Sequence, residues 1–172
     1  FISLLAGAVA FAQKVTIEAD QQNFNIENNS ASFKGNVMMD IDDMKIRSPE
    51  ATLKTGKNGK PETLVFVNGV NAEKQNQKEN SDLTSDNLTI DLATHTFIAQ
   101  GNTISQFKKT SPDAIVVKAN KQEFDSRANS IVASGNVRIK YKDIDLSGAN
   151  ARLITTSGTP QKVIISGGSR II

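Results

Sequence analysis

Apolar and polar residues alternate with a period of two along most of this chain. In Ile131–Tyr141, one set of alternate positions is apolar or small, and the other is almost wholly polar. The stretch Ala31–Ile41 alternates in the same way. Successive side chains of a β-strand point to opposite faces, so the pattern predicts strands with one buried and one solvated face. No helical stripe is sustained after residue 12, and the sequence therefore predicts an all-β protein.

A short motif recurs within these runs at near-constant spacing. FKGNV at 33–37 returns as ASGNV at 133–137 and, more weakly, as AQGNT at 99–103. Fifteen residues before the glycines of these three copies stand Asp20, Asp86 and Asn120. Such a period marks stacked units of about 33 residues that share one interior. Glycines that end the apolar runs follow each other at intervals of 32 to 34 residues: Gly35, Gly69, Gly101, Gly135 and Gly168.

The Gly-Asn pair within each motif predicts a bend. Glycine adopts positive φ without strain, and asparagine is enriched there among the other residues. Inside a strand pattern, this pair indicates a β-bulge at which the sheet turns a corner. The alternative is that each pair forms an ordinary hairpin turn. The segment FVNGVNAE departs from the pattern, because its glycine is not followed by asparagine.

The N-terminal residues 1–12, FISLLAGAVAFA, carry no charge and end in Ala10-Phe11-Ala12. An apolar core followed by small-x-small predicts a truncated signal peptide, with a single domain over 13–172. An uncleaved membrane anchor and a buried strand or helix are the alternatives. The chain contains no cysteine, so an exported domain must be held by packing alone. Export without cysteine favours the periplasm of a Gram-negative bacterium.

The composition and the scattered polar residues argue against several function classes. Lys and Arg number 20 against 18 Asp and Glu, with one Tyr and no Trp, which disfavours nucleic-acid binding. The acidic cluster Asp40, Asp42 and Asp43 lacks the glycine and glutamate of a calcium loop, and His95 is the only histidine. No nucleophile arrangement is recognisable. The sequence therefore predicts a non-enzyme without metal or cofactor.

Three segments in order carry a resemblance to a known family. They are Ile17–Gln22 (IEADQQ), then FKGNV at 33–37, then a second strand with Ile46, Ser48 and Ala51. In order and spacing they resemble the start of the LptA/OstA family, periplasmic proteins that carry lipopolysaccharide from the inner to the outer membrane. The resemblance covers about residues 15–168 if the weaker repeats count, and it is sharpest over 15–55.

The resemblance implies an open, twisted β-jellyroll in which two facing antiparallel sheets form a V-shaped trough. The trough would hold the acyl chains of lipopolysaccharide (lipid A). The resemblance also implies head-to-tail self-association, and contact with jellyroll domains of the inner- and outer-membrane transport complexes. The terminal segments KVTIEA and KVIISGGSRII fit this expectation, since both are β-prone and apolar and are short of the charges or prolines that protect edge strands. A membrane-anchored subunit of the same pathway and a structural β-solenoid or adhesin without ligand are the alternative functions.

The candidate lipid-binding residues are those that the alternation places on the inward face. This set is rich in Val, Ile and small residues, which would leave a trough open, and the resemblance assigns lipid contacts to the first strand, at Val15 and Ile17. The alternative is that these side chains form a closed core. The predicted set is Val15, Ile17, Phe33, Val37, Met39, Val65, Val67, Phe97, Ile131, Val137 and Ile139.

Overall fold

A computed structural model describes residues 4–6, 15–75, 80–125, 127–156 and 159–172. Of the predicted signal peptide, only residues 4–6 lie within these ranges. The described residues form fifteen β-strands and no helix, so none of them belongs to a helix long and apolar enough to span a membrane. The strands are β1 (Leu4–Ala6), β2 (Val15–Glu18), β3 (Gln21–Asn25), β4 (Ser30–Ile41), β5 (Met44–Thr55), β6 (Pro61–Val67), β7 (Val70–Gln75), β8 (Asn80–Ser85), β9 (Asn87–Asp91), β10 (Thr96–Phe107), β11 (Ile115–Asp125), β12 (Ser130–Tyr141), β13 (Ile144–Thr156), β14 (Thr159–Ser166) and β15 (Arg170–Ile171).

The strands form one sheet whose order follows the chain. Its main path runs β1-β2-β4-β5-β6-β9-β10-β11-β12-β13-β14, and the paired strands are antiparallel. The four short strands β3, β7, β8 and β15 pair beside this path. The long strands β4, β5, β10 and β13 each pair with different neighbours along their two halves, whereas β11 and β12 keep the same two neighbours along their whole length. The sheet therefore folds over on itself into two facing layers.

The first layer contains β3, β6, β9 and β14, and the second contains β1, β2, β7, β8 and β15. Each long strand contributes one half to each layer. In β4, for example, Phe33 pairs with β3 in the first layer, whereas Met39 pairs with β2 in the second. Both side chains are almost wholly buried, because the inward faces of the two layers pack against each other.

A β-bulge at each Gly-Asn pair carries the strand from one layer to the other. Between Lys34 and Val37, the pair Gly35-Asn36 stands opposite a single residue of β5. Gly35 has φ +80° and Asn36 has φ +48°, both in the left-handed region. Gly101-Asn102 and Gly135-Asn136 repeat this geometry within β10 and β12. The predicted bulges are thus confirmed, and these pairs are not hairpin turns.

At the three Gly-Asn corners, the residue fifteen positions before the glycine lies against it. Asp20 N donates to Gly35 O at 2.9 Å, and Asn36 Nδ2 donates to Asp20 Oδ2 at 2.9 Å. Asp86 and Asn102 are joined in the same way at 3.1 Å, and Asn136 Nδ2 donates to Asn120 Oδ1 at 3.5 Å. The spacing counted in the sequence therefore corresponds to a hydrogen-bonded corner. We call the line of these bends the corner edge, and the opposite side, where hairpin turns join the long strands, the hairpin edge.

The other two corners differ from the motif. At the second corner Asn68 precedes Gly69, with φ +68° and +98°. At the last corner Gly167, and not the predicted Gly168, occupies the corner position, because Gly167 O accepts a hydrogen bond from Ala149 N at 3.0 Å. Gly168, with φ +71°, stands where the other corners have asparagine.

Two apolar clusters fill the space between the layers in the described residues. The first extends from Val15 to Ala99, and the second from Phe107 to Leu153. Phe124 packs against both. Between them lie the buried polar side chains of Thr103, Ser105 and Gln122, so the interior is apolar at both ends and polar near its middle.

Candidate functional site

A cavity of about 190 Å³ opens between the two layers near the middle of the sheet. Phe107 and Leu83 line it from the second layer, and Phe97, Phe124 and Ile131 line it from the first. Large apolar walls with few polar groups are typical of sites that take apolar ligands. The remaining lining residues are Met44, Ala72, Glu73, Lys74, Ser81, Asp82, Leu88, Ser105, Asp125, Ser130 and Thr155.

Charged side chains stand at one side of this cavity. Asp82, which lines it, is paired with Lys109 at 2.6 Å between Oδ2 and Nζ. The hydrogen bond to Asp82 raises the pKa of Lys109 above its ordinary value. Asp125 Oδ1 accepts from the backbone N of Arg127 and Ala128 at 3.0 and 3.1 Å. Both carboxylates of this side are thus held by hydrogen bonds or an ion pair to neighbouring groups.

Only two of the predicted lipid-binding residues, Phe97 and Ile131, line this cavity. The others with the predicted inward orientation lie in the closed parts of the two apolar clusters. Each is 5% exposed or less, so in this structure it packs against protein. They are Val15, Ile17, Phe33, Val37, Met39, Val137 and Ile139.

The inward orientation predicted for Val65 and Val67 is wrong. Their neighbours Leu64 and Phe66 are fully buried, whereas Val65 and Val67 are only half-buried. Phe66 lies opposite Ala51 in the pairing of β6 with β5, which sets the buried face of β6. The two valines therefore lie on the outer face of the first layer, away from the cavity.

A protein-family model and a solved structure both match this chain. The family model described as "LptA/(LptD N-terminal domain) LPS transport protein" matches residues 16–111, more than half of the chain. The chain belongs to this family. A search of curated proteins found no match. The crystal structure of LptH from Pseudomonas aeruginosa, described as the LptA homologous periplasmic component of the lipopolysaccharide transport device, matches with a TM-score of 0.63 and 15% identity. The match covers 72% of this chain and 83% of LptH.

The fold predicted from the resemblance to the LptA/OstA family is confirmed. The chain is all-β, and its two facing antiparallel layers match the jellyroll-like fold of LptH. At 15% identity, this likeness concerns the fold alone. The family match covers all three segments that carried the resemblance, from Ile17 to Ala51.

The other candidate sites considered in the sequence lie apart from the cavity. Asp40 is paired with Lys45 across the β4–β5 hairpin at 3.8 Å, and Asp42 and Asp43 occupy its exposed turn. His95 lies in the turn between β9 and β10, with φ +56°. Within the described ranges, no three His, Asp or Glu side chains are grouped so as to hold a metal ion.

Several residues of the cavity in this LptA-like chain were missed from the sequence. Phe107 and Phe124 form much of its apolar wall, and Ser105 is the most buried of its three buried polar residues, the others being Ser130 and Thr155. Phe124 carried a signal, because it follows the same repeat as Phe24, eleven residues before a corner glycine. For Ser105 the only signal was a polar residue at an inward position of the alternation.

Proposed function

We propose that this chain is a carrier of lipopolysaccharide in the periplasm, with acyl chains held between its two layers. The observation that carries the proposal is the apolar cavity between the layers of a protein from a lipopolysaccharide transport family. Each methylene moved from water into such a wall contributes about 0.8 kcal/mol. A lipid with long saturated chains would therefore be retained strongly enough to cross an aqueous gap.

The size of the cavity limits what it can hold as it stands. Its volume of about 190 Å³ is below the range of about 300 to 1,000 Å³ typical of ligand pockets. The cavity admits part of one acyl chain. A lipid with several chains requires the two layers to separate along the hairpin edge, while the corner edge stays joined.

A site-specific photo-crosslinker tests the carrier function. We would place it at Phe97, on the cavity wall, and at the adjacent Ile98, which faces outward and pairs with Thr89 and Glu123. Expressed in a Gram-negative host, the protein should form a lipopolysaccharide adduct from position 97 and none from position 98. Adducts at neither position, in protein shown to be folded, would contradict the proposal and favour a structural β-solenoid.

We propose that residues 1–12 direct export and that 13–172 form the working domain. N-terminal sequencing of protein recovered from the periplasmic fraction tests this division. A start near Gln13 supports a cleaved signal. A retained apolar segment in the membrane fraction would instead favour the anchored subunit of the same pathway.

We also propose head-to-tail association between copies, in the register that the chain uses internally. At the first corner, Met38 lies opposite Glu18. Met38 is the third residue after the corner glycine Gly35, and Glu18 is the second residue before Asp20. At the third corner Ile104 lies opposite Lys118 in the same relation to Gly101 and Asn120. Applied to Gly167, this rule sets Arg170 of one copy opposite Glu18 of the next.

This junction joins opposite charges and apolar neighbours. Cross-strand pairs of opposite charge stabilise a sheet, and like charges destabilise it. The same register sets Ile171 opposite Ile17. In the structure β1 occupies that place, with Leu4 opposite Ile17, so a second copy pairs there only once β1 is absent. Jellyroll domains of the membrane complexes would use the same edges.

Charge reversal tests the junction in a chain that begins at Gln13. Glu18→Arg and Arg170→Glu should each weaken association in analytical ultracentrifugation, and the double variant should recover it. Glu27→Arg, in the β3–β4 turn, is the matched control and should leave association unchanged. If neither single variant nor the double variant changes association, the proposed register is contradicted. If the unchanged chain is a monomer at every concentration, self-association itself is contradicted.

A further inference from the structure

Three buried polar side chains interrupt the apolar interior near its middle. Thr103 and Ser105 are each 1% exposed, and Gln122 is fully buried. Thr103 and Ser105 follow Gly101 by two and four residues. After Gly35 and Gly135 the same positions hold Val37 and Met39, and Val137 and Ile139. The third corner thus replaces inward apolar residues with hydroxyl groups.

These side chains form a hydrogen-bonded network that uses all their donor hydrogens. Gln122 Nε2 donates to Thr103 Oγ1 at 2.9 Å and to Val117 O at 3.1 Å. Thr103 Oγ1 donates to Ala119 O at 2.8 Å. Ser105 Oγ donates to Gln122 Oε1. The network therefore fixes the direction in which the single hydroxyl hydrogen of Ser105 points.

Ser105 is the member of the network that faces the cavity. It lines the cavity beside Phe97, Phe107 and Phe124, whereas Thr103 and Gln122 do not. A hydroxyl oxygen can accept hydrogen bonds on two lone pairs. Among the described residues, Ser105 Oγ accepts none. Ser105 Oγ is therefore open to a donor that a ligand supplies, and beside an apolar wall such a hydrogen bond adds to the affinity.

We propose that Ser105 is a polar recognition point in the cavity for an acyl chain that bears a hydroxyl or amide N–H. This inference rests on the proposed lipid-carrier function and names the class of chain that the cavity prefers. Because the hydrogen of Ser105 is committed to Gln122, the ligand must donate and Ser105 must accept. A chain with only acceptor groups, such as an ether, gains nothing at this point.

Displacement of a fluorescent fatty acid from the full chain tests the preference. The competitors are tetradecanoic acid, its isomers hydroxylated at successive carbons, and the methoxy analogue of each isomer. One neutral hydrogen bond contributes about 1 kcal/mol, so the best hydroxylated isomer should bind about fivefold more tightly than tetradecanoic acid. Its methoxy analogue, which cannot donate, should show no such gain.

Two variants assign the preference to a residue. Ser105→Ala should abolish the gain of the hydroxylated isomer, so that hydroxylated and plain chains bind this variant equally tightly. Thr103→Val, which alters the same network but does not line the cavity, is the matched control and should keep the gain. Thermal unfolding of both variants verifies that they fold, and the comparison of hydroxyl with methoxy probes on the unchanged chain needs no variant.

The outcomes separate this inference from the function beneath it. If hydroxylated and plain chains bind equally tightly, the recognition point is overturned while the apolar carrier function stands. If Ser105→Ala keeps the preference, the inference is overturned because another group makes the contact. If no chain displaces the probe and the probe itself does not bind, the carrier function fails and the inference fails with it.

Discussion

The two long edges of the trough are built on different physical principles. The corner edge consists of backbone bulges such as Gly35-Asn36, where two consecutive residues adopt left-handed conformations and hydrogen bonds join the corner to Asp20. The hairpin edge consists of exposed turns with surface ion pairs, among them Lys142 and Asp113 at 3.0 Å. Exposed ion pairs contribute about 0 to 1 kcal/mol. The corner edge is therefore the rigid side, and opening of the layers should pivot about it.

The largest expected effect comes from adding a side chain within the corner edge. A methyl group on Gly35 would stand 2.6 Å from Asp20 Oδ2 and 3.0 Å from its Cβ, at φ +80°. Gly35→Ala should destabilise the fold by about 3 kcal/mol, combining left-handed strain with this overlap. Urea unfolding followed by circular dichroism measures the loss.

Gly69→Ala is the matched control for that change. Gly69 also has positive φ, but a methyl group there meets nothing within 4 Å. It should cost about 1 to 2 kcal/mol, from the left-handed conformation alone. Equal losses at the two glycines would show that contact with Asp20 does not tighten the corner.

The side-chain bridge across the corner should contribute less than the glycine. Asn36→Gly keeps the left-handed conformation and removes the 2.9 Å hydrogen bond to Asp20. We expect a loss of about 1 kcal/mol. Asn36→Ala should lose about 1 kcal/mol more, because alanine does not tolerate this φ as well. If both variants unfold at the same urea concentration, the bridge and not the backbone conformation decides the position.

Grafting the bridge into the last corner should stabilise the chain slightly. Gly168 stands where the other corners have asparagine and has open space around it, and Ala149 stands where they have Asp or Asn. Gly168→Asn with Ala149→Asp should raise the free energy of unfolding by about 0.5 to 1 kcal/mol. Ala149→Asp alone should give no gain, since it lacks a donor. A double variant no more stable than the single one would show that the bridge cannot form there.

The smallest effect belongs to the hairpin edge and follows from pH. The hydrogen bond with Lys142 lowers the pKa of Asp113 below 3.8, and Asp113 in turn raises the pKa of Lys142 above 10.5. The ion pair therefore makes its full contribution to the stability of the fold between pH 3.8 and pH 10.5. Its contribution is lost as pH falls through the lowered pKa of Asp113, or rises through the raised pKa of Lys142.

Asp113→Asn isolates this contribution in thermal unfolding at several pH values. The variant should melt slightly below the unchanged chain at pH 7 and together with it at pH 2. Added salt should shrink the difference at pH 7, because both side chains are exposed. A difference as large as that for Gly35→Ala would contradict the contrast between the two edges.

The fold could be predicted from the sequence largely because one local signal repeats. The pair Gly35-Asn36 fixes a bulge through backbone conformation alone, and the fifteen-residue spacing to Asp20 records which strands meet there. Sequence could not distinguish Gly167 from Gly168, since consecutive glycines tolerate the same conformations. Alternation in β4 and β12 gave the inward face correctly, because polar residues mark the outer one.

The site was less predictable, because it depends on contacts between the layers. In β6 the run Leu64–Val67 is apolar at every position, so alternation does not choose a face; the pairing of Phe66 with Ala51 does. Phe97 and Ile131 were found, but no periodicity reveals which inward residues the facing layer leaves uncovered. That is why Val15 and Phe33 lie in closed core, whereas Phe107 lines the cavity.

The nearly sequential strand order has a consequence for how such a chain can change in length. From Gly101 to Gly135 the path of the sheet advances by two strands, β11 and β12. Neighbouring strands are about 4.8 Å apart, so one more unit would lengthen the trough by about 10 Å. Its cross-section would stay the same, because each corner is closed within its own unit. Duplication of one such segment would therefore lengthen the trough without changing its cross-section. The length of the molecule would change only in steps of one unit.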